Sequence, residues 1–179
     1  MKFALFNQLQ MPKPWRENAE VLMYKEAITE AIHAEAMGFD AYWQTEHHFY
    51  TEIGHSSAPE IVLAALSQRT LHLRLGLGVV VLPCNHPYRV VEYVSTLDII
   101  SDGRVEFGTG RGASAYHVEA FGCAPDESKA MWEGCRPETD ARNPELCRFL
   151  QGFLGLRAIS RFGNFKICQN LKNRRIIPR

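Results

Sequence analysis

The chain has 179 residues, 46% of them hydrophobic and 22% charged, which fits one globular domain of ordinary size with a real core. Lys plus Arg and Asp plus Glu both number 20, so the chain as a whole offers no electrostatic case for nucleic acid. That balance hides an asymmetry: residues 1–132 carry 10 basic and 16 acidic side chains (net −6), whereas residues 133–179 carry 10 and 4 (net +6), which divides the chain into segments of different character.

Five cysteines (Cys84, Cys123, Cys135, Cys147, Cys168) form no C-x-x-C pair and are odd in number. They point to free thiols in a reducing compartment rather than to a disulfide framework or a zinc site. The apolar run at the N-terminus, Phe3 to Phe6, is too short for a signal-peptide core or a membrane span. The expectation is a cytoplasmic protein with no membrane partner.

Phe3-Ala4-Leu5-Phe6 reads as a first buried strand, and Gln8 to Arg16, with Pro12 and Pro14, as a loop. Asn18 is placed to cap a helix that presents Leu22, Ile28, Ala31 and Ile32 on one face and stops at Gly38. Phe39 to Trp43 is a second strand, leading directly into Glu46-His47-His48. Ser57-Ala58-Pro59-Glu60 has capping-box spacing and opens a helix over Ile61 to Gln68. Leu71 to Leu82, interrupted by Gly76 and Gly78, is a third strand with an irregular end. After a turn at Pro83 to Pro87, a third helix runs from about Tyr88 to Ile100 and stops at Asp102-Gly103. Val105-Glu106-Phe107 is a fourth strand that breaks into Gly108-Thr109-Gly110-Arg111-Gly112. Further helices begin near Ala115 and near Ser128.

Strand and helix thus alternate four times at a spacing of about 35 residues, the signature of a parallel sheet with crossover helices. Four such units are half of a (β/α)8 barrel. After Trp132 the alternation stops. Gly134 to Glu138 and Arg142-Asn143-Pro144 break any helix, only Leu146 to Leu156 has a helical pattern, and the end is basic. The expected fold class is α/β, a partial TIM (β/α)8 barrel over residues 1–132. A divergent, mostly helical or irregular basic tail, residues 133–179, follows and is not an independent domain.

Ligands of parallel α/β folds bind at the carboxyl ends of the strands, where Glu46-His47-His48 falls. The plain reading of this trio is loop polar groups with local hydrogen bonds. A metal reading would draw on His47, His48, His55 and His86, but adjacent strand residues point to opposite faces, so His47 and His48 should not both enter a barrel interior. A single histidine facing the barrel mouth beside a carboxylate, able to take or give a proton near neutral pH, is the better functional reading. Gly108 to Ala113 formally fits the dinucleotide fingerprint G-x-G-x-x-A, but it sits in the fourth unit with no acidic residue following at a strand end. The alternative is a backbone passing close to a flat ligand, with Arg111 available to a phosphate or ring carbonyl; the plain reading is a strand-to-loop transition with a solvated arginine. Gly78 marks either a bulge or a close backbone approach in what is otherwise a core strand.

Met1-Lys2-Phe3, Gly38-Phe39-Asp40, Glu46-His47-His48-Phe49, Val81-Leu82-Pro83, His86-Pro87, Leu97-Asp98, Ser101-Asp102-Gly103-Arg104 and Phe107 to Gly112, taken in this order and spacing, resemble the bacterial luciferase-like flavin monooxygenases over residues 1 to about 132. The resemblance implies a TIM barrel that takes reduced FMN from a partner flavin reductase and uses O2 to put one oxygen into a small organic substrate. It implies that His47 is the active-site histidine near the flavin, with Glu46 and His48 completing that motif. It sets Gly78-Val79 where the family has a non-prolyl cis peptide beneath the isoalloxazine ring. Gly110 falls where luciferase has a cysteine near the flavin, and Arg111 matches an arginine near the flavin phosphate. The chain then reads as a truncated member of the family. The alternatives are a catalytically inert fragment or non-catalytic partner of such a barrel, and a deazaflavin-dependent oxidoreductase, because related barrels bind that cofactor in a similar place. Open first and fourth strands would invite a homo- or heterodimer.

Overall fold

A computed structural model describes residues 1–134 of the chain. The expected basic tail lies outside the described residues from position 135 onward, as do Cys135, Cys147 and Cys168. Cys84 and Cys123 are free thiols.

Among the described residues, four strands and five helices follow in order: β1 (Ala4–Asn7), α1 (Ala19–Ala36), β2 (Ala41–Gln44), α2 (Pro59–Ser67), β3 (Arg74–Val81), α3 (Pro87–Ile100), β4 (Val105–Gly110), α4 (Ala115–Ala120) and α5 (Ser128–Gly134), with a short 3-10 turn at Leu82–Cys84. The strands form one parallel sheet in the order β1-β2-β3-β4, in register Ala4 with Ala41, Ala41 with Arg74, and Leu75 with Val105. Each strand is therefore linked to its immediate neighbour by a crossover helix, as parallel pairing requires.

The two faces of the sheet are filled differently. Tyr42, Leu73, Leu75, Leu77 and Val105 pack with Ala27 and Ala31 of α1, Leu63 and Leu66 of α2, and Val90, Val94 and Leu97 of α3 in one large cluster. Among the described residues, the cluster on the opposite face is made of strand residues: Ala4, Ala41 and Trp43, with Phe6 against them. Helices packed on one face and consecutive strand order are the features of a barrel wall, whereas a doubly wound sheet carries helices on both faces. Alternation along β2 does the sorting, sending Tyr42 to the helix side and Ala41 and Trp43 to the other. The Trp43 ring lies across β3: a Cβ at Gly76 would come within 2.3 Å of it, and one at Gly78 within 2.9 Å. Those two glycines therefore make room for the indole.

Several local expectations are corrected. β4 does not break after Phe107 but runs on to Gly110, because Thr109 and Gly110 pair with Val80 and Val81 beyond a register shift that leaves Gly78 and Val79 out of the ladder. Ser57 does not cap α2; Ala58 holds that position without a side-chain hydrogen bond, and Pro59 sets the first turn. Asn18 sits at the N-cap of α1 in a left-handed conformation (φ 59°), and its side chain caps nothing. α1 buries Ala27, Ala31 and Ala34, while Leu22 stays half exposed.

Candidate active site

The pleat of β2 ends at Gln44, and a buried polar chain fixes what comes next. The Tyr42 hydroxyl donates to Gln44 Oε1 (2.8 Å), and Gln44 Nε2 donates to the Asn7 carbonyl (3.1 Å) and to Ser56 Oγ (2.9 Å). The His47 N–H donates to the Ser56 carbonyl (2.8 Å), which ties both sides of the loop together. Every one of these groups would cost free energy if buried unpaired, so the network specifies one arrangement of the loop.

Glu46 is 7% exposed and accepts three hydrogen bonds. The Val81 N–H donates to Oε2 at 2.7 Å, and Asn85 Nδ2 and His48 Nε2 approach Oε1 at 2.8 and 2.9 Å. A carboxylate only accepts, so His48 carries its proton on Nε2. Glu46 thus clamps the carboxyl end of β3 to the loop after β2. Val81 pairs in turn with Gly110 of β4, whose missing side chain lets Val79 Cγ2 approach to 2.7 Å from where a Cβ would stand. Glu46, Gly78, Val79 and Gly110 accordingly lie at one end of the sheet. Arg111 follows, exposed, at the end of β4. The Gly78-Val79 peptide is cis.

His47 and His48 are both half-buried, and both rings approach a third imidazole, His117 of α4, with centroid separations of 5.9 and 6.2 Å. Both can approach the same ring because both lie beyond the last residue of β2, where the strand alternation used to separate them no longer holds. Burial lowers the pKa of His47, and His117 and His48 lower it further against a smaller opposing pull from Glu46. Burial and His48 likewise lower that of His117. Both rings are therefore neutral at pH 7. Nε2 of His47 and Nε2 of His117 are buried and have no hydrogen-bond partner among the described residues.

The other candidate histidines lie elsewhere. His55 pairs with Glu20 of α1 (2.5 Å), and His86 stacks on Tyr88 with centroids 5.6 Å apart. Among the described residues there is no group of three or more His, Cys, Asp or Glu side chains that could hold a metal ion. An aromatic cap covers His48: Phe121 lies 4.7 Å from its ring, and Phe49 stands 6.1 Å from Tyr116. A shallow depression of about 350 Å³ is lined by Phe49, Tyr116, Glu119 and Ala120, that is, by this cap rather than by His47 or Arg111.

Sequence reading did not find Asn85, the Val81 N–H or His117. The signal for His117 was present: α4 follows a parallel strand, so its start must lie at the same end of the sheet as the loop after β2.

The chain belongs to the luciferase-like monooxygenase family, whose model matches residues 1–166. The match runs past residue 132, where the motif resemblance ends. The family's members are flavin-using oxidoreductases. The chain is similar to the alkanal monooxygenase alpha chain of Photorhabdus laumondii, 37% identical over 133 residues covering 74% of this chain and 36% of that one. It is also similar to limonene 1,2-monooxygenase of Rhodococcus erythropolis, 40% identical over 102 residues covering 56% and 26%. Among solved structures, monooxygenase RslO1 from Streptomyces bottropensis superposes with a TM-score of 0.71 at 29% identity, over 83% of this chain and 42% of that one. The chain spans between 26% and 38% of the length of the curated relatives it matches. No helix among the described residues is long and apolar enough to cross a membrane.

Proposed function

We propose that this chain supplies the N-terminal half-barrel, residues 1–132, of an FMN-dependent monooxygenase acting on a small organic substrate. The observation that carries the reading is the buried, unpartnered Nε2 of His47 at the carboxyl end of a parallel sheet, beside a carboxylate that fixes the neighbouring strand. A buried polar atom without a partner has a cost, and a ligand that satisfies it recovers that cost. Reduced FMN, delivered by a reductase, would supply the electrons that activate O2 there.

The residues present suit that group. His47, neutral at pH 7, takes or gives one proton through Nε2. Glu46 keeps Val81, and with it the Gly78-Val79 turn of β3, in place as one wall for a flat ring. Gly110 keeps the adjoining strand close. Arg111, exposed at the end of β4, offers its guanidinium to a phosphate. The cap of Phe49, Tyr116 and Phe121 restricts water at the histidines.

The test is titration of the full chain with reduced FMN under anaerobic conditions, read by fluorescence. Saturable binding at micromolar flavin, weakened by His47→Ala and by Arg111→Ala, is the expected result. No binding at that concentration identifies the chain as an inert fragment or non-catalytic partner. Tighter binding of a reduced deazaflavin than of reduced FMN moves the assignment to that cofactor.

A further inference from the structure

His117 is 6% exposed, its Nε2 has no partner among the described residues, and it comes from α4, an element the resemblance did not invoke. Its ring meets that of His47 at 5.9 Å and 67°. An atom hydrogen-bonded to a ring nitrogen lies about 4 Å from the ring centroid, so two rings at this separation can share one bound atom. Two neighbouring buried imidazoles, each with an orphaned nitrogen, are costly for the free protein, and a single polar ligand atom placed between those nitrogens would satisfy both.

We propose that His117 is a second ligand-binding imidazole of this site, acting with His47 as a pair that holds one polar atom of the bound flavin between the two Nε2 atoms. The proposal rests on the flavin reading above for the identity of the ligand. Because the ligand atom needs a donor on one side and an acceptor on the other, the pair works in its doubly neutral state, one ring as N–H and one as lone pair. Protonation of either ring destroys that complementarity and opposes protonation of the other, so the two titrate as a coupled pair.

The surroundings are consistent with this. Glu46 pulls both pKa values up and His48 pushes both down, each as a smaller effect than burial. Tyr50, from the loop after β2, stands 5.7 Å from the His117 ring. Glu60 of α2 has its pKa raised mainly by burial, with Glu46 raising it and His48 lowering it as smaller effects. The Cys84 thiol, raised to about 11 mainly by burial and then by Glu46, stays neutral through the relevant range. Arg111 is exposed at the end of β4, and Glu119 on α4 faces the depression under the cap.

The experiment is histidine NMR titration of the full chain, free and with reduced FMN, on the wild type and on His117→Gln. In the free wild type, His47 and His117 should titrate below the ordinary range with mutual inflections. In His117→Gln the His47 midpoint should rise towards 6.5, the ordinary histidine value. That variant should bind reduced FMN about tenfold more weakly, and the pH dependence of binding should lose one of its two protonation steps. Independent single-proton curves for the two rings in the wild type overturn the pair. So does a His117→Gln variant that binds flavin as the wild type does with an unchanged pH profile. If wild-type protein binds no reduced FMN, the flavin reading falls, and the pair is then judged on the wild-type titration alone. That titration also decides the matter if His117→Gln does not fold.

Discussion

Glu46 shows how one buried side chain can set the geometry of two strand ends. It holds three donors, and two of them, the Val81 N–H and Asn85, come from the end of β3 and the turn after it. Removing it leaves buried donors unpaired, and each unpaired donor costs about 1–3 kcal/mol. Glu46→Ala should therefore lower stability by about 2–4 kcal/mol in urea unfolding, with weaker flavin binding because the β3 wall loosens. A loss below about 0.5 kcal/mol would show that water replaces the carboxylate without penalty. The sequence displayed Glu46-His47-His48 as a polar trio at a strand end, and that much was legible. Which of the three anchors and which stays available was not, because it depends on Val81 and Asn85, some 35 to 39 positions away. Gly76 and Gly78 teach the same lesson. Both were visible as interruptions of β3, and Gly78 as either a bulge or a close approach, but the group that lies over them is Trp43 on the neighbouring strand.

At the scale of elements, the helices are tied to the sheet from the end opposite the histidines. Arg104, just before β4, donates from its guanidinium to the carbonyls of Ser67 (2.7 Å), Leu73 (3.0 Å) and Ser101 (2.7 Å) and to Thr70 Oγ1 (2.9 Å). It thereby joins the end of α2, the start of β3 and the end of α3. Glu35, in the last turn of α1, receives the N–H groups of Leu71, His72 and Leu73 at 2.6–3.1 Å and orients the entry to β3. Hydrogen bonds to charged groups are worth about 1.5–3 kcal/mol each but are not additive. Arg104→Met, which keeps the aliphatic stem, should cost about 2–4 kcal/mol of unfolding free energy while leaving the affinity for reduced FMN within about twofold. Loss of flavin binding in a variant that still folds would contradict this separation of the two ends. Strand and helix identities were readable from periodicity, and so was part of the buried face of α1: Ala31 is fully buried and Ile28 packs against the core. Leu22 was expected there too but stays exposed, and Ala27 and Ala34 complete the stripe, since small residues let the helix lie close to its neighbours.

For the molecule as a whole, the two depressed histidines and the depressed Glu35 give stability the same dependence on pH. The unfolded chain takes up protons at His47 and His117 near 6.5, before the folded chain does, so stability is full above that value and falls as pH is lowered through the depressed folded values. For Glu35, burial raises the pKa and three backbone donors outweigh it, so a second loss follows below the ordinary carboxylate range. The urea midpoint should accordingly decline between about pH 7 and pH 5, and the decline should shrink in a His47→Gln, His117→Gln double variant. A midpoint unchanged over that interval would mean that the two rings are hydrated in solution. The four-unit architecture was legible in the sequence because the crossover helices lie between strands of similar spacing, and the barrel expected from it carries its helices on one face, as the sheet does. What the sequence did not show is the irregular pairing of β3 with β4, since it depends on contacts between strands. That the sheet follows the order of the chain has a consequence for its birth on the ribosome. Ala4 meets its partner Ala41 as soon as the second strand emerges, and each later strand finds a docking edge already in place. Among the four described strands, each pairs with the one translated just before it, so this part of the wall can be laid down course by course.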